Sequence, residues 1–295
     1  MHNDLVELGW TEEQWNLITS AVTEEAQKAR VAAQMLPLVG PEDPSTVAVP
    51  AYALGTLNVP PNAPPDRLVV DSDPTLFLTT IAVNVYVRSH EAGDPSLKAA
   101  LGMFRRAANY IARIEDALIF NGRPLNAAPV LGLGAIPPVF TVNGNGTPGG
   151  IVPAGAPGGR FMQAIAAGNP NNLGNRVVDA IIAAIGALDA AGYQGPYACG
   201  LAQDLFTAIC TPNPNLIMPR DRILPFLQGP LLRASAVPQG QGFIVSLSAN
   251  SVEVVVGSDL CVKYLQTNLE PRYIFRVCER IALRIREEAA IAIIS

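Results

Sequence analysis

The stretch PSLKAALGMFRRAANYIARIEDALIFNG, residues 95–122, decides the fold. Leu97, Leu101, Phe104, Ala108, Ile111 and Leu118 recur at steps of three, four or seven, which lines one face of a helix with apolar side chains. Arg105, Arg106, Arg113 and Asp116 fall largely on the rest of its surface. Asp94 suits the N-cap, Pro95 the first turn and Gly122 the position that ends a helix. About 26 residues at 1.5 Å each make a rod of roughly 39 Å, long for a globular helix.

Upstream, Thr11 to Met35 reads as a second helix. Thr11 and Gln14 form a capping-box pattern, and Glu12 and Glu13 suit the positive N-terminal end. Trp15, Ile18, Val22, Ala26, Ala29 and Ala33 give an apolar stripe that ends in small residues. From Leu36 to Ser72 the density of proline excludes a helix and disfavours a central strand. This stretch reads as an extended arm or a long two-stranded loop, with short edge strands around Val47–Leu57 and Arg67–Val70. Thr75 to Arg88 alternates, with Ile81, Val83, Val85 and Val87 on one face, and reads as a strand that delivers the chain into the long helix.

Downstream, Arg123 to Asn172 is rich in Gly, Pro, Asn and Ala and reads as a surface insertion. Its Asn143–Gly150 piece has the glycines of a phosphate loop but not the Lys-Ser/Thr that holds phosphate. Leu173 to Ala191 is a helix stopped by Gly192. Tyr193 to Leu201 is a turn and a buried strand. Asp204–Cys210 and Arg220–Gln228 are short helices around the uncharged loop Thr211–Leu216. Phe243–Leu247 and Val252–Val256 are strands joined by a polar turn. Tyr273–Arg286 fits both a helical face of arginines four apart and a strict alternation of β-forming residues; the alternation decides for a strand.

Composition narrows the function. The chain has 295 residues, 49% of them hydrophobic and only 15% charged, with a net charge of −5. A large core is available, and the apolar surplus points to surface buried against other subunits. The mild negative charge argues against a dedicated nucleic-acid binder. Cys199, Cys210, Cys261 and Cys278 form no C-x-x-C pair and lie far from His2 and His90, so neither a zinc site nor any cofactor is expected. They read as free thiols in a reducing cytoplasm. The start of the chain has neither a basic segment nor an apolar run, so no signal peptide is expected, and no apolar window is long enough to span a bilayer. A catalytic triad would have to use His2 or His90. The adjacent pairs Glu115-Asp116 and Glu287-Glu288 do not face together on a helix or strand. The expectation is a protein with no catalytic residues.

Four segments then resemble a known family. They are Ile114–Gly122; Ala191–Ala198; Val256-Gly-Ser-Asp-Leu260 with Tyr264-Leu265; and Tyr273–Val277 with Leu283-Arg284-Ile285. In order and type they are similar to the encapsulins, once called linocin-like proteins. The resemblance implies an α+β fold of the tailed-phage major-capsid type, with a peripheral domain built on a spine helix, an extension loop and an axial domain. Carried onto this chain, 1–46 holds the N-terminal helix and the start of the peripheral domain. Residues 47–73 are the extension loop, and 74–122 the peripheral domain with its spine. Residues 123–239 are the axial domain, with the Gly/Pro-rich insertion at about 126–172, and 240–295 return to the peripheral domain. The chain departs from the family pattern at Pro41–Ser45 and in that insertion.

The resemblance also implies a function. The chain would be the shell subunit of an icosahedral, self-assembling homo-oligomer in a bacterial or archaeal cytoplasm, enclosing a cargo enzyme that carries a terminal targeting peptide. Residues matching the cargo-binding wall are Leu36 and Leu38 after the first helix, and Leu260, Val262 and Tyr264 after the Gly-Ser-Asp motif. Their plainer role is core packing. Thr211, Pro212, Asn213, Pro214, Asn215 and Leu216 match a pore-lining loop. The alternative is the major capsid protein of a tailed phage or prophage, enclosing DNA. The row Arg276, Arg280, Arg284 and Arg286 could touch phosphates in that case, or make ion pairs between subunits. Two features favour the compartment: no lysine lies in the Val49–Ser72 arm to form a crosslink, and the first helix begins close to Met1.

Overall fold

The computed structural model describes residues 9–43, 45–56, 68–71, 74–122, 140–144, 149–153, 159–212, 217–267 and 272–295. Helix α1 (Glu12–Ala29) starts on the expected capping box: the Thr11 side chain accepts from the Gln14 N–H and Gln14 accepts from Thr11. The helix does not run on to Met35. Arg30 turns to an extended conformation, and a short helix α2 (Ala32–Met35) follows. Strand β1 (Leu38–Val39) comes next.

The Pro-rich arm forms β2 (Ala48–Pro50), β3 (Ala53–Thr56), β4 (Leu68–Asp71) and β5 (Thr75–Phe77). β2 pairs with β5 and β3 with β4, both antiparallel, so the described part of the arm is a two-stranded ribbon. Strand β6 (Thr79–Arg88) buries Ile81, Val83, Val85 and Val87 on one face, as its alternation demands. A short α3 (Ser89–Ala92) leads to the spine, α4 (Lys98–Asn121).

The spine starts three residues later than its sequence suggests. Asp94 accepts from the Ser96 and Lys98 N–H groups, but as a tight turn, and Leu97 takes a left-handed conformation before the helix begins. Every apolar position of the expected face is buried. Gly122, at φ +72°, closes the helix. A Cβ there would stand 2.3 Å from the Gly150 nitrogen, so the chain passes too close for any side chain. Asp116 corrects the sequence reading. It is not on the surface but 4% exposed, beside Glu115 at 2%.

After β7 (Phe140–Asn143) and β8 (Phe161–Gln163) come α5 (Leu173–Ala190), β9 (Tyr197–Leu201), α6 (Gln203–Cys210) and α7 (Pro219–Leu227). Then follow β10 (Gln228–Arg233), β11 (Gly242–Ser246), β12 (Val252–Thr267), β13 (Arg272–Ile285) and β14 (Ile291–Ile294). About half of the insertion at 126–172 lies outside the described residues.

Two five-stranded sheets result. The first has the order β1-β12-β13-β6-β7, antiparallel except that β1 runs parallel to β12. The second has the order β10-β9-β11-β14-β8, with parallel pairs at both edges. The polar turn at Ser248–Asn250 therefore carries the chain from one sheet to the other. Within 240–295, β12 and β13 join the first sheet and β11 and β14 the second. Strand β13 runs as the alternation predicts. Strand β10 has no counterpart in the sequence reading.

One core cluster joins α1 and α4 to the first sheet, through Ile18, Val22, Phe104, Ile111, Val83, Val254 and Phe275. A second packs α5, α6 and α7 on one face of the second sheet. The spine connects both regions, because Phe120 near its end meets Phe243 of β11 at 5.1 Å between ring centroids. On the other face of the first sheet, Val49, Leu78, Val255 and Ala282 form a small core beneath β2 and β5. There Arg284 and Arg286 both pair with the buried Glu253, and Arg284 donates to the Pro50 carbonyl at 3.1 Å. The root of the arm is thereby tied to the sheet.

Candidate functional site

Leu260, Val262 and Tyr264 alternate along β12 and face the side covered by α1 and α4. Leu260 is 8% and Tyr264 9% exposed, while Val262 is half-buried against the same core. The Tyr264 ring stands edge-on to Phe275 at 5.6 Å, and its hydroxyl is 2.5 Å from the Thr267 hydroxyl. Phe275 is the centre of an aromatic group. Trp10 stacks on it at 5.0 Å, while Trp15 and Phe104 meet it edge-on at 6.0 and 5.2 Å. The Trp10 indole N–H donates to the Ala92 carbonyl at 2.9 Å. The sequence marked Phe275 only as a member of a strand and did not single out Trp10; the pairing of β13 with β12 sets Phe275 opposite Tyr264, and Trp10 reaches it from just before α1.

Leu36 and Leu38 lie at the other end of the strand. Leu36 is core, at 4% exposure, and Leu38 is 52% exposed. The Pro37 carbonyl accepts from the Val254 N–H at 2.9 Å, and Leu38 is in register with Val254. Eight residues of β12 separate Val254 from Val262, roughly 25 Å of strand. The five residues therefore do not form one compact pocket; they mark the two ends of a line along β12. Strand β1 covers that edge only at Val254 and Val255, and no other strand among the described residues pairs with it. At Gly40 an added Cβ would lie 2.3 Å from the Val256 carbonyl oxygen, so the chain runs on in close contact with the edge, and the Glu42 N–H donates to that carbonyl at 2.9 Å.

A buried charge cluster sits where α1 breaks into α2. The Asp116 carboxylate accepts from the Val31 N–H at 3.0 Å and the Ala32 N–H at 2.8 Å, which caps α2 and ends α1. Arg30 turns inward to pair with Glu115 at 2.6 Å and with Glu279 of β13. One guanidinium thus faces three carboxyls. Burial holds Glu115 well above the usual carboxylate range, and the neighbouring Glu279 adds to this. Burial also raises Glu279. Asp116 is pushed up to about 7 by burial, against the lowering effect of its two backbone donors. Glu279 keeps one buried oxygen without a hydrogen bond, and the Glu115 oxygen that lacks one is the oxygen in ion-pair contact with Arg30. The sequence showed Glu115 and Asp116 only as neighbours; Glu279 and Arg30 come from far along the chain.

Thr211 and Pro212 follow α6 and are exposed. Asn213, Pro214, Asn215 and Leu216 lie outside the described residues, as does His2. His90 is exposed on α3. Among the described residues no three His, Cys, Asp or Glu side chains gather as a metal site, and no helix is long and apolar enough to cross a membrane.

The chain matches the family described as "Encapsulating protein for peroxidase" over residues 7–142 and 150–282. Its fold is that of a virus-like particle from Pyrococcus furiosus, with a TM-score of 0.69 and 13% identity over 97% of this chain and 100% of that one. An encapsulin complex from Synechococcus elongatus PCC 7942 superposes with a TM-score of 0.56 at 11% identity, over 88% of this chain and 84% of that one. The capsid of Myoviridae phage XM1 does so with a TM-score of 0.56 at 12% identity, over 88% of each chain. No curated protein matches by sequence. The fold is therefore the one shared by tailed-phage capsids and encapsulins, and the family match assigns the chain a structural rather than a catalytic role. Spanning nearly the whole sequence, that match shows that the chain belongs to the encapsulin family.

Proposed function

We propose that this chain is the shell subunit of a closed icosahedral compartment in a bacterial or archaeal cytoplasm, holding a cargo enzyme by a short peptide. The observation that carries the reading is the family match across both sheets and the spine. The geometry of β12 supports the docking mode. An extended peptide laid along the edge beyond Val256, whose carbonyl already accepts from the Glu42 N–H, continues the line of β1, with exposed Leu38 at one end and half-buried Val262 at the other. Main-chain hydrogen bonds supply affinity in such strand addition, and alternate side chains supply specificity. Leu36, Leu260 and Tyr264 form the floor beneath it.

The test uses native shells purified with their contents. Leu38→Asp and Val262→Asp, made singly, are expected to lower co-purified enzyme by tenfold or more while shells stay intact by electron microscopy. Cargo retained at the parental level in both variants counts against the groove. The rival phage reading is addressed by the same particles. Arg284 and Arg286 share the single carboxylate of Glu253, which offsets one of their two charges and leaves less positive charge for a phosphate backbone. Shells assembled from the chain alone should contain little nucleic acid and subunits of unchanged mass; DNA-filled particles would favour a capsid.

A further inference from the structure

Cys261 and Cys278 are 17 residues apart in sequence, yet they sit directly opposite each other on β12 and β13. Their sulfur atoms are 3.6 Å apart, and the Cys261 thiol is 3.5 Å from the Cys278 carbonyl oxygen, to which it can donate. Facing residues of an antiparallel pair have Cα atoms about 4.5–5.5 Å apart, inside the span of about 4.4–6.8 Å that a disulfide bridges. Both thiols lie on the face of the sheet away from α1 and α4, since Leu260 and Val262, on either side of Cys261, point into the core. Cys261 is half-buried and Cys278 is 8% exposed.

We propose that Cys261 and Cys278 form a redox site that is oxidised by hydroperoxides to an intrachain disulfide. The proposal does not depend on cargo binding, because the two thiols project from the face of the sheet opposite to Leu260, Val262 and Tyr264. The surroundings divide the two roles. A hydrogen bond from Cys278 brings Cys261 down to about 7, against burial and helped by Lys263 and Ser258, with Asp259 opposing. Cys278 moves the other way, above the usual thiol range, chiefly because it gives that hydrogen bond to Cys261 and secondly because it is buried. Cys261 is thus the attacking thiolate and Cys278 the resolving thiol. The thiolate attacks one peroxide oxygen, the O–O bond breaks, and the products are a sulfenic acid on Cys261 and hydroxide. The Cys278 sulfur then attacks the Cys261 sulfur, the S–O bond breaks, and the departing oxygen leaves as water with the Cys278 proton. The hydroxide takes up the proton first shed by Cys261. Two thiols and one hydrogen peroxide become one disulfide and two waters, with the peroxide reduced and the sulfurs oxidised.

Neither of the other two cysteines can substitute. Cys199 is fully buried, with its thiol held above the usual range by burial, and Cys210 lies in α6 of the second sheet's helical layer. The experiment treats the assembled full-length protein with a small excess of hydrogen peroxide, then denatures it, alkylates free thiols and maps peptides by mass spectrometry. The expected result is a fall from four alkylated cysteines to two, with a linked peptide joining Cys261 to Cys278. Cys278→Ser should instead leave a sulfenic acid on Cys261 that a dimedone probe captures, and Cys261→Ser should leave Cys278 reduced. Four alkylated cysteines after treatment, crosslinks between different chains, or Cys278 oxidised equally fast in Cys261→Ser would each overturn the proposal. The wild-type result stands even if a serine variant fails to assemble.

Discussion

Asp116 shows how one side chain sets local structure. Its carboxylate ends α1 and caps α2, and burial makes ionising it costly. In the unfolded chain such a group titrates at about 4, whereas here it does so at about 7. Between those values the folded state holds a proton that the unfolded state has released. Stability therefore falls as pH rises through that window. Glu115 and Glu279, both raised, add to the same slope. Urea midpoints measured from pH 4.5 to 7.5 should decline, and Asp116→Asn should flatten the decline. An unchanged slope in that variant would refute the assignment. Arg30→Ala leaves the carboxyls without their cation and should cost about 3–5 kcal/mol at neutral pH, and less as the pH is lowered and the carboxyls take up protons.

At the scale of elements, the spine holds the two sheets in register. Its first half packs on β6 and β13, and its last turn meets β11. Beyond its end, the Ile119 and Phe120 carbonyls accept from the Ile151 and Val152 N–H groups at 2.9 and 2.6 Å, which ties the returning chain to the helix. Two glycines test this picture. Gly102 lies mid-helix, with nothing within 4 Å of an added Cβ, so Gly102→Ala should gain about 0.5–1 kcal/mol by helix propensity. Gly150 stands against the helix end, where a Cβ would be 2.3 Å from the Gly122 nitrogen and 2.4 Å from the Phe120 carbonyl oxygen. Gly150→Ala should cost about 1–3 kcal/mol or more through forced backbone movement. Denaturant unfolding of the two variants should move in opposite directions; a shared direction would mean that the contact at the helix end is not tight.

For the whole molecule, the isolated chain leaves apolar residues in water that a larger assembly would cover. Ile217, Leu224 and Phe226 are exposed in and just before α7, and Val47, Phe77 and Tyr86 are exposed around the arm and β6. Interlocked arms and covered patches add many modest contacts into a stable shell. Size-exclusion chromatography with light scattering should give a particle of many subunits, and a monodisperse monomer or dimer would end the compartment reading. We propose that the loop from Thr211 to Leu216 lines or borders a vertex pore, where its Thr, Asn and Pro residues would make a neutral rim with little charge selection. Asn213→Asp together with Asn215→Asp should raise cation entry into assembled shells several-fold; unchanged ion flux would put the loop elsewhere.

The spine, the N-terminal helix, the proline-rich arm and strand β13 were legible in the sequence. Each is set by a local rule: apolar spacing, a capping box, proline sterics or alternation. What stayed hidden depends on residues far apart in the chain. The break after Ala29 follows from Asp116 reaching the Val31 and Ala32 N–H groups, and no pattern within residues 11–35 announces it. Strand β10 is a short edge strand with no regular alternation of burial, and β14 is buried on both faces, which removes the alternation that marks a half-exposed strand. The candidate cargo wall was legible only as residue types; its tertiary placement puts Leu36, Leu260 and Tyr264 in the core, Val262 half-buried against it and Leu38 at the surface. The Cys261–Cys278 pair arises from the register of two long strands, with irregularities near Ser258 that shift which residues face each other. Sequence by itself determined which segments are helix, arm and strand, because those choices rest on neighbours within a few residues. Tertiary structure alone decided which side chains meet, because pairing register and helix docking bring together groups whose separation along the chain carries no signal.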